Sequence, residues 1–331
     1  MTNNTGGATT APAPEEPDLG HTSIEGTSRV GDLVFRGAAT LSSGLIVLVV
    51  LIIGVFLLSN AWQPLMDNAA NFFTSTEFNA SATPPRFGVA ALLWTTVLSS
   101  LFALVIAVPV AMGLALLLTQ FVRGRVATYV AFIIDLLAAV PSVIFGLWGI
   151  KVFGPAVKPV AQWLENTLGW IPLFGPTQVA SPGTIFTASL VLAIMILPII
   201  TAITRDVLAQ TPRDHIEAAL ALGATRWEVI RLAVLPYGRS GAIAAAMLGL
   251  GRALGETIAV MLILSKVAEF KVSVFNGGET FASIIARNAP EFDTPYKAGV
   301  YISAGLVLFL LTFAVNAIAR VIADRGKARM S

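Results

Sequence analysis

The chain is divided into long stretches that carry almost no charge. Mostly apolar runs of about 20 residues or more occupy roughly 38–60, 89–119, 127–153, 184–204, 240–266 and 298–322. About 20 such residues cross the ~30 Å hydrocarbon layer of a bilayer as a helix. In lipid the backbone must satisfy its own hydrogen bonds, and runs this long do so as helices. The expected fold is an all-α polytopic membrane protein with six transmembrane helices. Composition agrees, since 56% of the 331 residues are hydrophobic and only 12% are charged, against ~25% charged in soluble domains. Lipid is the expected surrounding, and a net charge of +2 gives no reason to expect a nucleic-acid partner. The chain has no cysteine, which excludes disulfides, thiolate metal ligands and Cys nucleophiles. His21 and His215 lie in different polar segments, so no metal site is expected.

Residues 1–28 are polar, rich in Pro, Gly and Thr, and lack an apolar signal-peptide core. They read as a disordered cytoplasmic tail, and deletion of residues 2–27 should leave function intact. Residues 29–88 then hold the first transmembrane helix and an external loop. Residues 89–325 form the main transmembrane domain, with a polar loop at 205–239.

Basic residues set the orientation. Arg29, Arg36, Arg123, Arg125, the five arginines of 205–239 and the basic C-terminus fall on one side. Fewer, including Arg86, Lys151, Lys266 and Arg287, fall on the other, among several acids. Both termini and the 205–239 loop are expected in the cytoplasm, with 155–183 and 267–297 outside. Pro109, Pro141 and Pro198 lie inside the second, third and fourth runs. Each is expected to kink its helix, either for packing or as a bending point for gating.

The segment TPRDHIEAALALGATRWEVIRLAVLP at 211–236 reads as two short helices. Thr211 is placed to cap the first, with Pro212 at its first position and Asp214 completing a capping-box-like spacing. Gly223 suits the left-handed residue that ends it. Thr225 and Glu228 form a capping box for the second, and Leu235-Pro236 would close it. So much punctuation points to a rigid knob presented to a cytoplasmic partner, or to an amphipathic helix lying on the headgroups.

The fifth run contains GRALGET at 251–257. Arg252 lies about 12 residues beyond Ser240, or ~18 Å along a helix, which places Arg252 and Glu256 near mid-depth. An Arg at the centre of a bilayer costs ~2.5–3.5 kcal/mol on insertion scales. On a helical wheel both charges share a face with the small residues Gly241, Ala245, Gly249, Ala253 and Thr257, opposite Met247, Leu254 and Ile258. Small residues let transmembrane helices approach closely, so the charges are expected to point where the protein packs. One reading is an i,i+4 ion pair that neutralises itself, although Arg before Glu is the weaker order. The other puts the pair on a translocation path, with Arg252 recognising an oxyanion through its guanidinium fork. Asp135 is a further intramembrane carboxylate. Pairing with Arg252 and hydrogen bonding to backbone freed near Pro141 are both open to it.

Glu217-Ala218-Ala219, three residues, Gly223, and then Leu235-Pro236 resemble the EAA loop of ABC importer permeases. Ala233 stands where that family usually has Ile. The resemblance implies a type I ABC importer permease fold. It also implies that Glu217, Ala218, Ala219 and Gly223 belong to a coupling helix that docks on a separate ATPase. No GxxxxGK[ST] phosphate loop occurs in the sequence, so ATP and Mg would be bound by that partner. No cofactor is expected in this chain, and it would be a translocation subunit, not an enzyme by itself. LGLGRALGETIAVM at 248–261 and LLAAVPSVIFGLWG at 136–149 are similar to the phosphate permeases of the PstC and PstA type, PstC above all. That likeness covers roughly 30–325. It implies ATP-driven phosphate import with Arg252 and Glu256 on the path. The partners would be a PstA-like second permease, an ATPase subunit dimer and an external phosphate-binding protein. The alternatives are a permease for another oxyanion such as sulfate or molybdate, an ion-coupled secondary transporter, or a non-transporting membrane scaffold.

Overall fold

The computed structural model describes residues 29–122, 124–175, 177, 181–267 and 269–327. The tail at 1–28 with His21, together with Arg123 and Arg329, lies outside them. The chain separates into two units, Met1–Ile52 and Ile53–Ser331. In the first, the described residues are the opening of α1 (Arg29–Met66), an exposed and strongly apolar helix.

In the second unit, α1 leads through a small antiparallel hairpin, β1 (Phe78–Asn79) and β2 (Arg86–Phe87), into α2 (Ala90–Leu116). There follow α3 (Arg125–Ala138), α4 (Ser142–Trp148), α5 (Gly154–Leu168) and α6 (Ile185–Ala209). A pair of short helices, α7 (Arg213–Ala221) and α8 (Arg226–Val229), precedes α9 (Leu235–Leu254) and α10 (Ile258–Ile263). The chain ends with α11 (Phe281–Asn288) and α12 (Pro295–Lys327). Among the described residues, six helical segments are long and apolar enough to cross a membrane: Gly31–Met66, Ala90–Phe121, Ser142–Leu168, Ile185–Ala209, Arg226–Leu254 and Pro295–Val321.

The helix α6 is the centre of the packing, with 72% of its most apolar stretch buried. On one side it meets a stripe of α2 residues four apart, Ala103, Ala107, Ala111 and Ala115, all fully buried. On another it meets the small face of α9. A Cβ added at Gly249 would lie 2.7 Å from Ile200, and one at Gly241 would lie 2.5 Å from Val207. Close approach of this kind is what small residues allow where no aqueous hydrophobic effect drives helix association.

Two expected spans are redrawn. The third run is not one helix over 127–153. It breaks at Pro141, which has extended backbone (φ −59°, ψ 139°) between α3 and α4. Proline disfavours helical backbone in the residue before it, so Pro141 separates two helices where a kink was expected. The membrane-length segment then runs from Ser142 to Leu168, taking in some of the stretch expected outside. The fifth span starts at Arg226, earlier than 240, and ends at Leu254.

Prolines also explain how these segments continue. Leu235-Pro236 does not close a helix. A π turn over Ile230–Val234 lets the Leu235 N–H bond to the carbonyl of Ile230, five residues back, and the helix passes through the proline. The same device stands before Pro155, where the π turn Gly149–Phe153 ends with the Gly154 N–H bonded to Gly149. A widened turn relieves the clash between the proline ring and the carbonyl four residues earlier. Pro109 and Pro198 lie inside α2 and α6, which continue through them.

Candidate functional site

The segment from Gly251 to Ile263 is an interrupted helix. α9 stops at Leu254, Gly255 to Thr257 are not helical, and α10 begins at Ile258. Arg252 therefore sits in the last turn of α9. Glu256 sits just ahead of α10, where its Oε1 accepts the Ala259 N–H at 3.2 Å. A helix carries partial negative charge at its C-terminus and partial positive charge at its N-terminus. Each side chain thus lies at the helix end that favours its charge. The order Arg then Glu, unfavourable in one continuous helix, suits a break between two.

The i,i+4 ion pair is absent. Among the described residues, Arg205–Asp206, Glu279–Arg287 and Asp293–Lys297 are paired, and Arg252–Glu256 is not. Nor does Arg252 point into the packing of this chain. Gly238, Ala242, Ala245, Gly249 and Ala253 form the buried face of α9, while Ala244, Leu248 and Arg252 form an exposed one. Among the described residues nothing pairs with the Arg252 guanidinium. Leu254 is buried and Ile258 is exposed, so the residues expected opposite the charges do not form one lipid-facing side.

Asp135 is exposed on α3. It lines a groove with Leu118, Thr128, Phe132 and Arg205, near the end of α6 that leads into α7. No ion pair joins it to Arg252 or Glu256 among the described residues, so the three carboxylate and guanidinium groups do not form one cluster.

The segment expected to be a knob is a helical hairpin. Gly223 has φ +84° and ends α7 in the left-handed conformation. Thr225 caps α8 in a capping box, its hydroxyl accepting from the Glu228 N–H while Glu228 Oε2 accepts the Thr225 N–H at 2.7 Å. The first cap is different from the expected one. Pro212 occupies the position before α7 without a side-chain cap, and the Thr211 hydroxyl donates to the Leu208 carbonyl at 2.8 Å, finishing α6. Glu217, Ala218 and Gly223 are exposed and Ala219 is half-buried. Beside them Leu222 is 90% exposed and Trp227 61%. A groove of about 870 Å³ runs between α7 and the start of α9, lined by Ala218, Ala219, Leu222, Ala233 and Tyr237 among others. Buried Val234 and Leu208, with Ile216 packed on them, seat the hairpin on the ends of α2 and α6.

At the opposite end of α6 lies a strap whose described residues are 264–267 and 269–280. Carbonyls of Val274 and Asn276 accept the N–H groups of Phe186 (2.7 Å) and Ile185 (2.9 Å), capping α6. Glu279 and Arg287, which sequence reasoning did not single out, form an ion pair here at 2.9 Å. Burial pushes the Glu279 carboxyl above its ordinary range, against the pull of Lys266 and Arg287. Their separation by eight residues, within a loop read only for its charges, gave no signal of a pair.

The sequence over 107–327 matches the family described as binding-protein-dependent transport system inner membrane component. It is 55% identical over 300 residues to the phosphate transport system permease protein PstC 2 of Mycobacterium tuberculosis, covering 89% of this chain and 93% of that protein. It is 35% identical over 294 residues to the phosphate transport system permease protein PstC of Xylella fastidiosa, covering 88% and 90%. In fold it is similar to the MetNI methionine ABC transporter in an inward-facing conformation, with a TM-score of 0.51 at 17% identity, over 71% of this chain and 96% of that one. A bacterial ABC transporter for alginate import gives 0.52 at 17% identity, over 71% and 78%.

Proposed function

Because this chain belongs to the family of inner-membrane components of binding-protein-dependent transport systems, we propose that it is the PstC-type permease subunit of an ATP-driven phosphate importer. It is a multi-pass protein of the inner membrane and forms half of the translocation path. The names of relatives at 55% identity support phosphate over sulfate or molybdate. Membership of an ABC importer family weighs against an ion-coupled secondary transporter. The other half of the path is a PstA-like permease, an external phosphate-binding protein delivers the anion, and an ATPase dimer holds ATP and Mg. Both termini and the α7–α8 hairpin face the cytoplasm, as the arginines of 205–239 favour.

The observation that carries this reading is the exposed Arg252 at the break between α9 and α10, which no described residue pairs with. A guanidinium in an apolar segment is costly unless it faces a protein interior or an aqueous path. The face of α9 with Leu248 and Arg252 is left uncovered by the described residues, which suits a partner permease across a central path. Arg252 there offers a bidentate donor to phosphate. Glu256 keeps the start of α10 in place beside it. At the other end, the exposed end of α7 from Glu217, with the apolar Leu222 and the turn at Gly223, seats in the ATPase. ATP binding moves the hairpin, and α9, which continues from α8 through the π turn, carries that movement to Arg252.

The test is uptake of labelled phosphate into proteoliposomes holding the whole complex, with sulfate and molybdate as competitors. Phosphate uptake that Arg252→Gln abolishes, with assembly and ATPase activity intact, supports the reading. Uptake undiminished in Arg252→Gln removes Arg252 from the path, and stronger inhibition by sulfate or molybdate than by unlabelled phosphate reassigns the substrate.

A further inference from the structure

The half-helix α10 is fixed at both ends by charged side chains. Its first turn is held by Glu256. Its last is held from a different element: Nη2 of Arg287, on α11, donates to the carbonyls of Met261 at 2.8 Å and Leu264 at 3.1 Å. The last carbonyls of a helix have no partner within it and carry the negative end of its dipole, so a guanidinium suits them both as donor and as charge. Arg287 is itself held by Glu279, whose Oε1 lies 2.9 Å from its Nε. Both atoms are buried and have no aligned hydrogen bond, so the contact between them is one of charge.

The elements carrying this chain of contacts are tied to others. The Ser265 N–H bonds to Gly183 and the Gly278 N–H to Ser265. The Phe281 N–H bonds to Thr96 Oγ1 at 3.1 Å, joining α11 to α2. α10 in turn packs tightly on α4, where a Cβ at Gly146 would come within 2.9 Å of Ala259. Glu279 also lines an outer cavity of about 390 Å³ with Glu77, Lys266 and Lys271. That cavity brings a surface open to a partner up to the Glu279 side chain, whose oxygen facing Arg287 stays buried.

We propose that Arg287 is a positioning residue that latches α10, and through it the break carrying Arg252 and Glu256, to the external strap, with Glu279 as the release point. The role rests on the permease reading above. Movement of the strap when the external binding protein docks is passed to the break between α9 and α10 by withdrawal of Arg287 from the end of α10. With the latch closed, the break is held in one geometry. With it open, α10 is free to shift and alter what Arg252 faces.

The complete complex in proteoliposomes gives the test. The chain has no cysteine, so Thr257→Cys reports the break and Ala244→Cys serves as a control on α9. In Arg287→Gln the rate of Thr257→Cys labelling by a membrane-impermeant thiol reagent should rise about tenfold with the Ala244→Cys rate unchanged. Stimulation of ATPase activity by the phosphate-loaded binding protein should fall about tenfold, and Arg287→Lys should partly restore both. A purely structural role would lower assembly and change both labelling rates together, which overturns the proposal. So does wild-type labelling and stimulation in Arg287→Gln. If Arg287→Gln does not assemble, Glu279→Gln decides. It keeps both bonds from Arg287 to α10 and removes the charge behind them, and its Thr257→Cys labelling must rise at least threefold. A wild-type complex that takes up no phosphate but still shows the labelling change sinks the substrate reading and leaves the latch standing.

Discussion

The helix interruptions at α7–α8 and at α9–α10 are held in opposite ways. At α7–α8 the interruption is fixed by its own sequence. Gly223 supplies the left-handed turn and Thr225 with Glu228 the capping box, all within six residues. At α9–α10 only the Glu256 bond to the Ala259 N–H is local, and the rest of the interruption is fixed from outside, by Ile200 of α6 against Gly249, by α4 against Ala259 and by Arg287 at the end of α10. A locally fixed break moves as a rigid piece, which suits an element that must transmit force. A break held by distant elements changes shape when those elements move, which suits a gate.

The sharpest way to break this comparison is Arg252→Gln. Hydrogen bonds to charged groups contribute ~1.5–3 kcal/mol each and the Arg252 fork offers two, so phosphate uptake in proteoliposomes should fall at least about 30-fold with the complex intact. Next comes Gly223→Val. A β-branched residue at φ +84° is strained by ~1–3 kcal/mol, so the hairpin refolds locally. Uptake and binding-protein-stimulated ATPase activity should both fall roughly tenfold, while Thr257→Cys labelling is unchanged. Glu256 sharpens the contrast, because Glu256→Gln keeps an oxygen for the Ala259 N–H whereas Glu256→Ala removes a cap worth ~0.5–2 kcal/mol. Transport rates should fall less than about threefold in the first and more in the second. Equal losses in both would show that the charge itself acts on the path.

Smaller effects are expected where no partner is lost. Thr225→Ala should lower the thermal midpoint of the complex by a few degrees, consistent with a cap of ~1 kcal/mol, and leave uptake near wild type. Asp135→Asn should change uptake less than about twofold, since Asp135 meets neither Arg252 nor Glu256. Glu279 adds a pH test. Its raised carboxyl takes up a proton above the ordinary range for Glu as pH falls. Relative to the unfolded chain this group favours the fold below its usual pKa, and that contribution is lost as pH rises through the raised value. The charge facing Arg287 follows the other sign and disappears on acidification. Because thiol reagents react with the thiolate, Thr257→Cys labelling is read relative to Ala244→Cys at each pH, and that ratio should rise as pH falls through the window in wild type and stay level in Glu279→Gln.

What the sequence determined by itself is what depends on near neighbours or on solvent. Apolar runs require six membrane-length helices because the bilayer leaves no other way to satisfy a backbone. The hairpin around Gly223 follows from caps and a left-handed turn that lie next to each other. The tertiary structure decided where helices pause and which side of α9 is open. Pro141 could kink one helix or separate a pair of them, and Pro236 could end a helix or be carried by a π turn, depending on what packs alongside. The wheel placed Arg252 with the small residues, but the buried face of α9 is set by where Ile200 and Val207 of α6 press on it. Arg287 reaches the end of α10 across 23 residues of chain. Its contact exists because dipole, carbonyls and guanidinium meet in space, and no periodicity in the sequence encodes that meeting.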